Sequence, residues 1–105
     1  MKKTYAVSWR GEAPTGERHV GKLAVDAASA SLEGLARGRE SSQTIAASEL
    51  TDVRLDRSPA GRVDGRPSIV LSLRNGSLVR VVSLDQPGTV PEIASRLVAL
   101  AHGAR

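Results

Sequence analysis

The sequence contains no cysteine and no phenylalanine, and it has a single tryptophan and a single tyrosine. The absence of cysteine excludes a disulfide framework, a thiolate metal site and a cysteine nucleophile. The two histidines, His19 and His102, lie far apart in the chain, with no carboxylate cluster at metal-ligand spacing around them. The sequence therefore predicts no metal site, no cofactor and no catalytic site, and we expect a protein that is not an enzyme.

Long apolar runs are also missing. No stretch approaches the ~20 apolar residues that a membrane-spanning helix needs. The basic start of the chain, residues 1–4, is not followed by the apolar segment of a signal peptide. We therefore expect a cytoplasmic protein, either free or peripheral to the membrane. The length of 105 residues predicts one domain that spans positions 1–105.

The charge is unbalanced in favour of basic residues. The formal net charge is +4, and twelve of the fifteen basic residues are arginine. A basic surface can attract phosphates or anionic lipids. A GC-rich genome produces the same arginine bias without any binding function, so both interpretations stay open at this point.

Most of the chain alternates between apolar and polar residues with a period of two, which is typical of half-buried strands. Tyr5, Val7 and Trp9 show this pattern, and we place both aromatic residues in the core, so nucleic-acid binding is not expected. The seven predicted strands are Thr4–Arg10, His19–Asp26, Ser29–Ala36, Gln43–Ala47, Thr51–Arg57, Pro67–Arg74 and Ser77–Leu84.

The predicted connections differ in kind. Loops are expected at Gly11–Glu17 and Ser58–Arg66, a polar turn at Arg37–Ser42, and a tight connection at Ser48–Leu50. Asn75-Gly76 predicts a hairpin with a type I′ turn, in which both central residues need positive φ. Gly34, inside the third strand, predicts a β-bulge.

The last segment changes period. Apolar residues recur at spacings of three and four, which predicts an amphipathic helix at the C-terminus. Thr89 and Glu92 predict a capping box at its start, and Gly103 predicts its end at the C′ position. Leu97 and Leu100 are its expected anchors in the core. Seven short strands and one helix predict a mainly β fold, a barrel or sandwich that the helix covers at one end.

The chain resembles the pleckstrin-homology (PH-like) superfold, especially the small bacterial PH domains. The resemblance rests on residues 21–25, residues 31–34, the strand–turn–strand passage over residues 45–53, residues 69–76 and the terminal helix. It covers nearly the whole chain. It implies a seven-stranded barrel or sandwich, with a C-terminal helix that caps it.

The resemblance also implies a non-catalytic interaction module that binds a protein partner or associates with itself. The alternative is peripheral binding of an anionic lipid or a phosphate-bearing ligand. In PH-like domains the loops after strands one, three and six share one end of the barrel, and ligands bind near that rim. The candidate anion-binding residues there are Arg18, Lys22, Arg37, Arg39 and Arg74.

Overall fold

The computed structural model describes residues 3–11, 18–58, 66–85 and 88–103. Seven strands are followed by one C-terminal helix, which confirms the predicted fold class. The elements are β1 (Lys3–Gly11), β2 (His19–Val25), β3 (Ser29–Ala36), β4 (Arg39–Ala46), a 3₁₀ helix (Ala47–Glu49), β5 (Leu50–Asp56), β6 (Ser68–Leu73), β7 (Leu78–Ser83) and α1 (Thr89–Gly103).

All seven strands form one antiparallel sheet in the order β4-β3-β2-β1-β7-β6-β5. The first hairpins lie on one side of β1, and β7, β6 and β5 lie on the other. The two edge strands are therefore β4 and β5. Helix α1 packs mainly against β5, so the two edges of the sheet have different surroundings.

The core lies between the inner face of the curved sheet and the apolar side of α1. Tyr5 and Trp9 are buried in it, as the alternation in β1 predicts. Leu97 and Leu100 are the predicted anchors of α1, and both are buried there. Burial of these side chains removes apolar surface from water, which is the main stabilising contribution in a domain of this size.

The predicted turn at Arg37–Ser42 is wrong in extent. The turn consists of Arg37 and Gly38 alone, with φ of 52° and 77°, and β4 begins directly after it at Arg39. Two consecutive residues with positive φ form a type I′ turn, which matches the twist of the flanking strands. The polar sequence after Gly38 suggested a loop, but strand pairing with β3 extends β4 through these residues.

The β6–β7 hairpin exists as predicted, but its turn is of another type. Gly76 has positive φ and Asn75 does not. The amide of Gly76 donates to the carbonyl of Leu73 at 2.9 Å, and the amide of Ser77 donates to the side-chain oxygen of Asn75. This is the arrangement of a three-residue hairpin loop, with the left-handed residue last.

The ends of α1 also differ from the prediction. Thr89 is the first residue of the helix and not its cap, and Gly103 lies within the last turn and not at C′. The connection predicted at Ser48–Leu50 is the 3₁₀ helix, one residue earlier in the chain. Most of the two predicted loops, residues 12–17 and 59–65, lies outside the described residues.

No bulge occurs at Gly34. The pairing of β3 with β2 and with β4 runs through this residue without a shift, and the register shift in the sheet lies instead in β5, between Leu50 and Asp52. Gly34 is needed for a different reason, which is the close approach of β3 to β2 at Gly21.

Candidate functional site

The free edge of β4 carries backbone groups that the sheet does not use. Among the described strands, β4 pairs with β3 alone. In a two-residue hairpin the closing pair, here Ala36 and Arg39, exchanges two hydrogen bonds, and every second pair after it does the same. The alternate residues of β4, namely Glu40, Ser42, Thr44 and Ala46, therefore direct their N–H and C=O groups away from β3.

Two observed hydrogen bonds agree with this assignment. The amide of Ala47 donates to the carbonyl of Ala28 at 2.9 Å, which continues the bonded series of the hairpin. The amide of Ala46 points the other way and donates to the Glu49 carboxylate at 3.1 Å. Glu49 therefore occupies the last outward amide, and the outward groups of the other three residues have no hydrogen-bond partner among the described residues. We call the outward backbone groups of Glu40, Ser42 and Thr44 the β4 edge.

The β4 edge has few of the features that normally prevent strand addition. Proteins protect sheet edges with charged side chains, proline, bulges or a covering element. Residues 41–46 of β4 contain no charged residue, no proline and no glycine. The side chains of Ser42, Gln43 and Thr44 are all exposed. The centre of the strand can therefore accept another extended chain.

Apolar side chains are exposed on the outer face beside this edge. Val20 and Leu35 lie opposite each other on β2 and β3, and they are 44% and 52% exposed. A shallow groove of about 670 Å³ runs from Leu35 across to β4, and Glu33 and Glu40 are among its lining residues. A strand added to β4 would extend this face.

Three of the five candidate anion-binding residues lie at the same end of the sheet. Arg18 directly precedes β2, and its Nε donates to Ser8 Oγ at 3.2 Å. Arg37 is in the β3–β4 turn and Arg39 follows it, and both are exposed. Because Val20 pairs with Leu35 near that turn, the register places Arg18 at the end of the sheet that also carries Arg37 and Arg39.

The other two candidates lie elsewhere. Lys22 is in the middle of β2, on the outer face, and its partner in the register on β3 is Glu33. The Arg74 Nε donates to the carbonyl of Ser48 at 3.0 Å, which is beyond the opposite end of β4 from Arg39. The structure thus brings Arg18, Arg37 and Arg39 to one end of β2, β3 and β4, whereas Lys22 lies in mid-strand and Arg74 bonds to Ser48 beyond the far end of β4.

Two further arginines lie along β6 and β7, Arg80 within β7 and Arg66 just before β6, and sequence reasoning did not predict their hydrogen-bond partners. Arg80 donates to Asp56 Oδ2 at 3.2 Å and to Ser68 Oγ at 3.1 Å. Arg66 donates to the carbonyl of Ser83 at 2.8 Å. Hydrogen bonds from Ser58, and then the Arg80 guanidinium, lower the pKa of Asp56. These arginines satisfy polar groups of the sheet itself, so we assign them a structural role.

Comparison with solved structures identifies the fold of this chain. No protein-family model matches the sequence, and no curated protein matches it. Among solved structures, the pleckstrin homology (PH) domain of USP37 is similar, with a TM-score of 0.58, 17% sequence identity and coverage of 96% of each chain. The chain has a PH-like fold.

Two polar side chains, Tyr5 and His19, lie in the core and at its margin. Burial, and then the nearby Glu92 carboxyl, raise the pKa of the Tyr5 phenol. The His19 ring stacks on Trp9, with centroids 5.1 Å apart and planes 10° from parallel. The described residues contain no group of histidine and acidic side chains that could hold a metal ion. Within the described ranges no helix is long and apolar enough to cross a membrane.

Proposed function

We propose that this chain is a non-catalytic interaction module of the small bacterial PH-like type, which acts in the cytoplasm and binds an extended segment of a protein at the β4 edge. One observation carries the proposal. Glu40, Ser42 and Thr44 have outward backbone groups, and the structure leaves the side chains around them exposed and mostly uncharged.

Strand addition would use these groups in a known mode of peptide recognition. The main-chain hydrogen bonds supply affinity, and the side chains on alternate positions supply specificity. On the outer face the added strand would meet Glu40 and Ser42, with Leu35 one strand further in. We therefore expect selected ligands to be extended segments without proline at the bonded positions, because proline has no amide to donate.

A random peptide display library tests this proposal. Peptides selected on the wild-type domain should lose binding to Ser42→Pro, because the proline ring occupies the edge and the outward amide is gone. The amide of Ser42 is not used in the pairing with β3, so the fold should tolerate proline there. Ser42→Ala keeps the amide and is the matched control. Selected peptides that bind Ser42→Pro as well as wild type would contradict the proposal.

The second candidate function is binding of an anionic ligand at Arg18, Arg37 and Arg39, peripheral to the membrane where the anion is a lipid. The observation that favours it is the placement of these three basic residues at one end of the sheet. Phosphate groups and anionic lipid headgroups share the chemistry that arginine binds, because the guanidinium donates two parallel hydrogen bonds. Arg74 and Lys22 would take no part from their observed positions.

Flotation with phosphatidylserine vesicles tests this second candidate. Wild-type protein should float with the vesicles at low salt and less at about 0.15 M salt, because screening weakens surface attraction. The double variant Arg37→Ser/Arg39→Ser should lose flotation, whereas Arg54→Ser/Arg57→Ser removes the same charge from β5 and the residue after it and should retain it. Competition by inorganic phosphate separates a free phosphate ligand from a lipid. Absence of flotation at low salt would reject the lipid.

A further inference from the structure

We infer that the β4 edge pairs with the β4 edge of a second copy of this chain, antiparallel and about a two-fold axis at Ser42. The inference rests on the proposed strand-binding function and names the strand that is bound. Closed two-fold dimers are the commonest oligomers, and their interface must be complementary to itself. The β4 edge meets this requirement in backbone bonding and in charge.

The backbone pattern selects one register. With the axis at Ser42, the Ser42 residues of the two copies face each other, and each Glu40 faces Thr44 of the second copy. Each of these three pairs exchanges two N–H···O bonds, so every open group of the β4 edge is used.

Neighbouring registers use fewer of these groups. A shift of the axis toward the C-terminal end of β4 places Glu40 opposite Ala46, whose amide already donates to Glu49. A shift the other way places Thr44 opposite Gly38, which lies in the β3–β4 turn and not in the strand. The Ser42 axis is therefore the register in which all three open residues find an open partner.

Charge is complementary in the same register. Antiparallel pairing brings the start of one β4 alongside the end of the other. Arg39, at the start, then lies near Glu49 of the second copy, in the 3₁₀ helix that follows β4. Glu40 faces an uncharged threonine, so no like charges are directly opposed across the interface. Opposite charges at both ends of the pairing thus favour this register and disfavour a parallel arrangement.

The dimer should be weak. A single strand from each copy contributes a few residues, whereas standard interfaces involve roughly 20–30 residues on each side. The exposed Leu35 and Val20 lie one and two strands away from β4, respectively, and add little contact. We therefore expect a dissociation constant of the dimer in the upper micromolar range, on the order of 10⁻⁴ M, which measurements on dilute protein would miss.

Sedimentation equilibrium at concentrations from about 10 µM to about 1 mM tests the inference, because this range brackets the affinity expected for a small interface. Four proteins are compared: wild type, Ser42→Ala, Ser42→Pro and Ser42→Asp. Wild type and Ser42→Ala should show a mass that rises toward that of a dimer. Ser42→Pro and Ser42→Asp should remain monomeric. The aspartate variant keeps the backbone amide and places two carboxylates across the axis, so it tests the interface even if the proline variant does not fold.

Three other outcomes of the sedimentation experiment would overturn the inference. In each case the proposed strand-binding function is still decided separately. Monomeric wild type at the highest concentration rejects the second copy, and the display library then decides separately whether β4 binds other strands. Equal association by wild type, Ser42→Pro and Ser42→Asp places a dimer interface elsewhere on the molecule. Loss of association in Ser42→Ala as well would reject the backbone pairing, because this variant retains every backbone group.

Discussion

Gly21 and Gly34 face each other across β2 and β3 so closely that neither position has room for a Cβ atom. A Cβ built on Gly21 would lie 2.0 Å from the carbonyl oxygen of Glu33, and one on Gly34 would lie 2.2 Å from that of Val20. The atoms in the way belong to backbone, which cannot rotate aside as a side chain can. The two glycines therefore permit β2 and β3 to approach each other closely at this point, just before the β3–β4 hairpin.

Gly21→Ala should be strongly destabilising. Inserting one carbon into a tightly packed site typically costs 1–3 kcal/mol, and we expect about 3 kcal/mol or more here because backbone must move. Urea denaturation measures the change in the free energy of unfolding. Gly11→Ala is the control, since a Cβ at Gly11 would meet no atom within 4 Å. Equal stability of the two variants would show that the strands can separate at no cost.

The anchor of α1 gives a second prediction. Leu97 is fully buried under the sheet, and Val98, the next residue, is 37% exposed. Leu97→Ala should reduce the free energy of unfolding by about 2–5 kcal/mol, because a large side chain in a close-packed core leaves a cavity when it is truncated. Val98→Ala should change the stability by less than about 0.5 kcal/mol. The same denaturation experiment measures both, and a small effect of Leu97→Ala would mean that α1 is not needed to close the core.

The pH dependence of stability should involve Asp56. Its carboxylate accepts hydrogen bonds from Ser58 Oγ at 2.6 Å and from the Ser58 amide at 3.0 Å, and it pairs with Arg80. These contacts lower its pKa in the folded state. A lowered folded pKa means that the charged carboxylate stabilises the fold above the unfolded pKa, and that this contribution is lost as the pH falls through the folded value.

Asp56→Asn should therefore reduce the loss of stability between about pH 5 and pH 2. Urea denaturation at several pH values in this range measures the slope. Asp52→Asn is the matched control, because Asp52 lies four residues earlier on the same face of β5 and makes none of these bonds. If both variants keep the wild-type slope, Asp56 does not contribute to acid sensitivity.

The sequence was sufficient to predict the number of strands, their order along the chain, the buried aromatic pair and the apolar side of α1. These features depend on periodicity, which is local. The extent of β4 was not predictable in this way, since Glu40, Ser41 and Ser42 gain their strand conformation from pairing with β3. The position of the Arg74 side chain was also out of reach, because its hydrogen bond to the carbonyl of Ser48 directs it.

The types of the two hairpin turns were not predictable from the sequence either, and the turn between β3 and β4 leads to the last prediction. The sequence Asn75-Gly76 favours a type I′ turn, yet the structure places that turn at Arg37-Gly38. The strand register fixes the loop length, so Arg37 adopts φ of 52°, which asparagine tolerates better than arginine. Arg37→Asn should therefore raise the free energy of unfolding by about 0.5–1 kcal/mol. Arg39→Asn removes the same charge from an extended residue and is the control. If Arg37→Asn is no more stable than Arg39→Asn, the left-handed conformation at position 37 carries no strain.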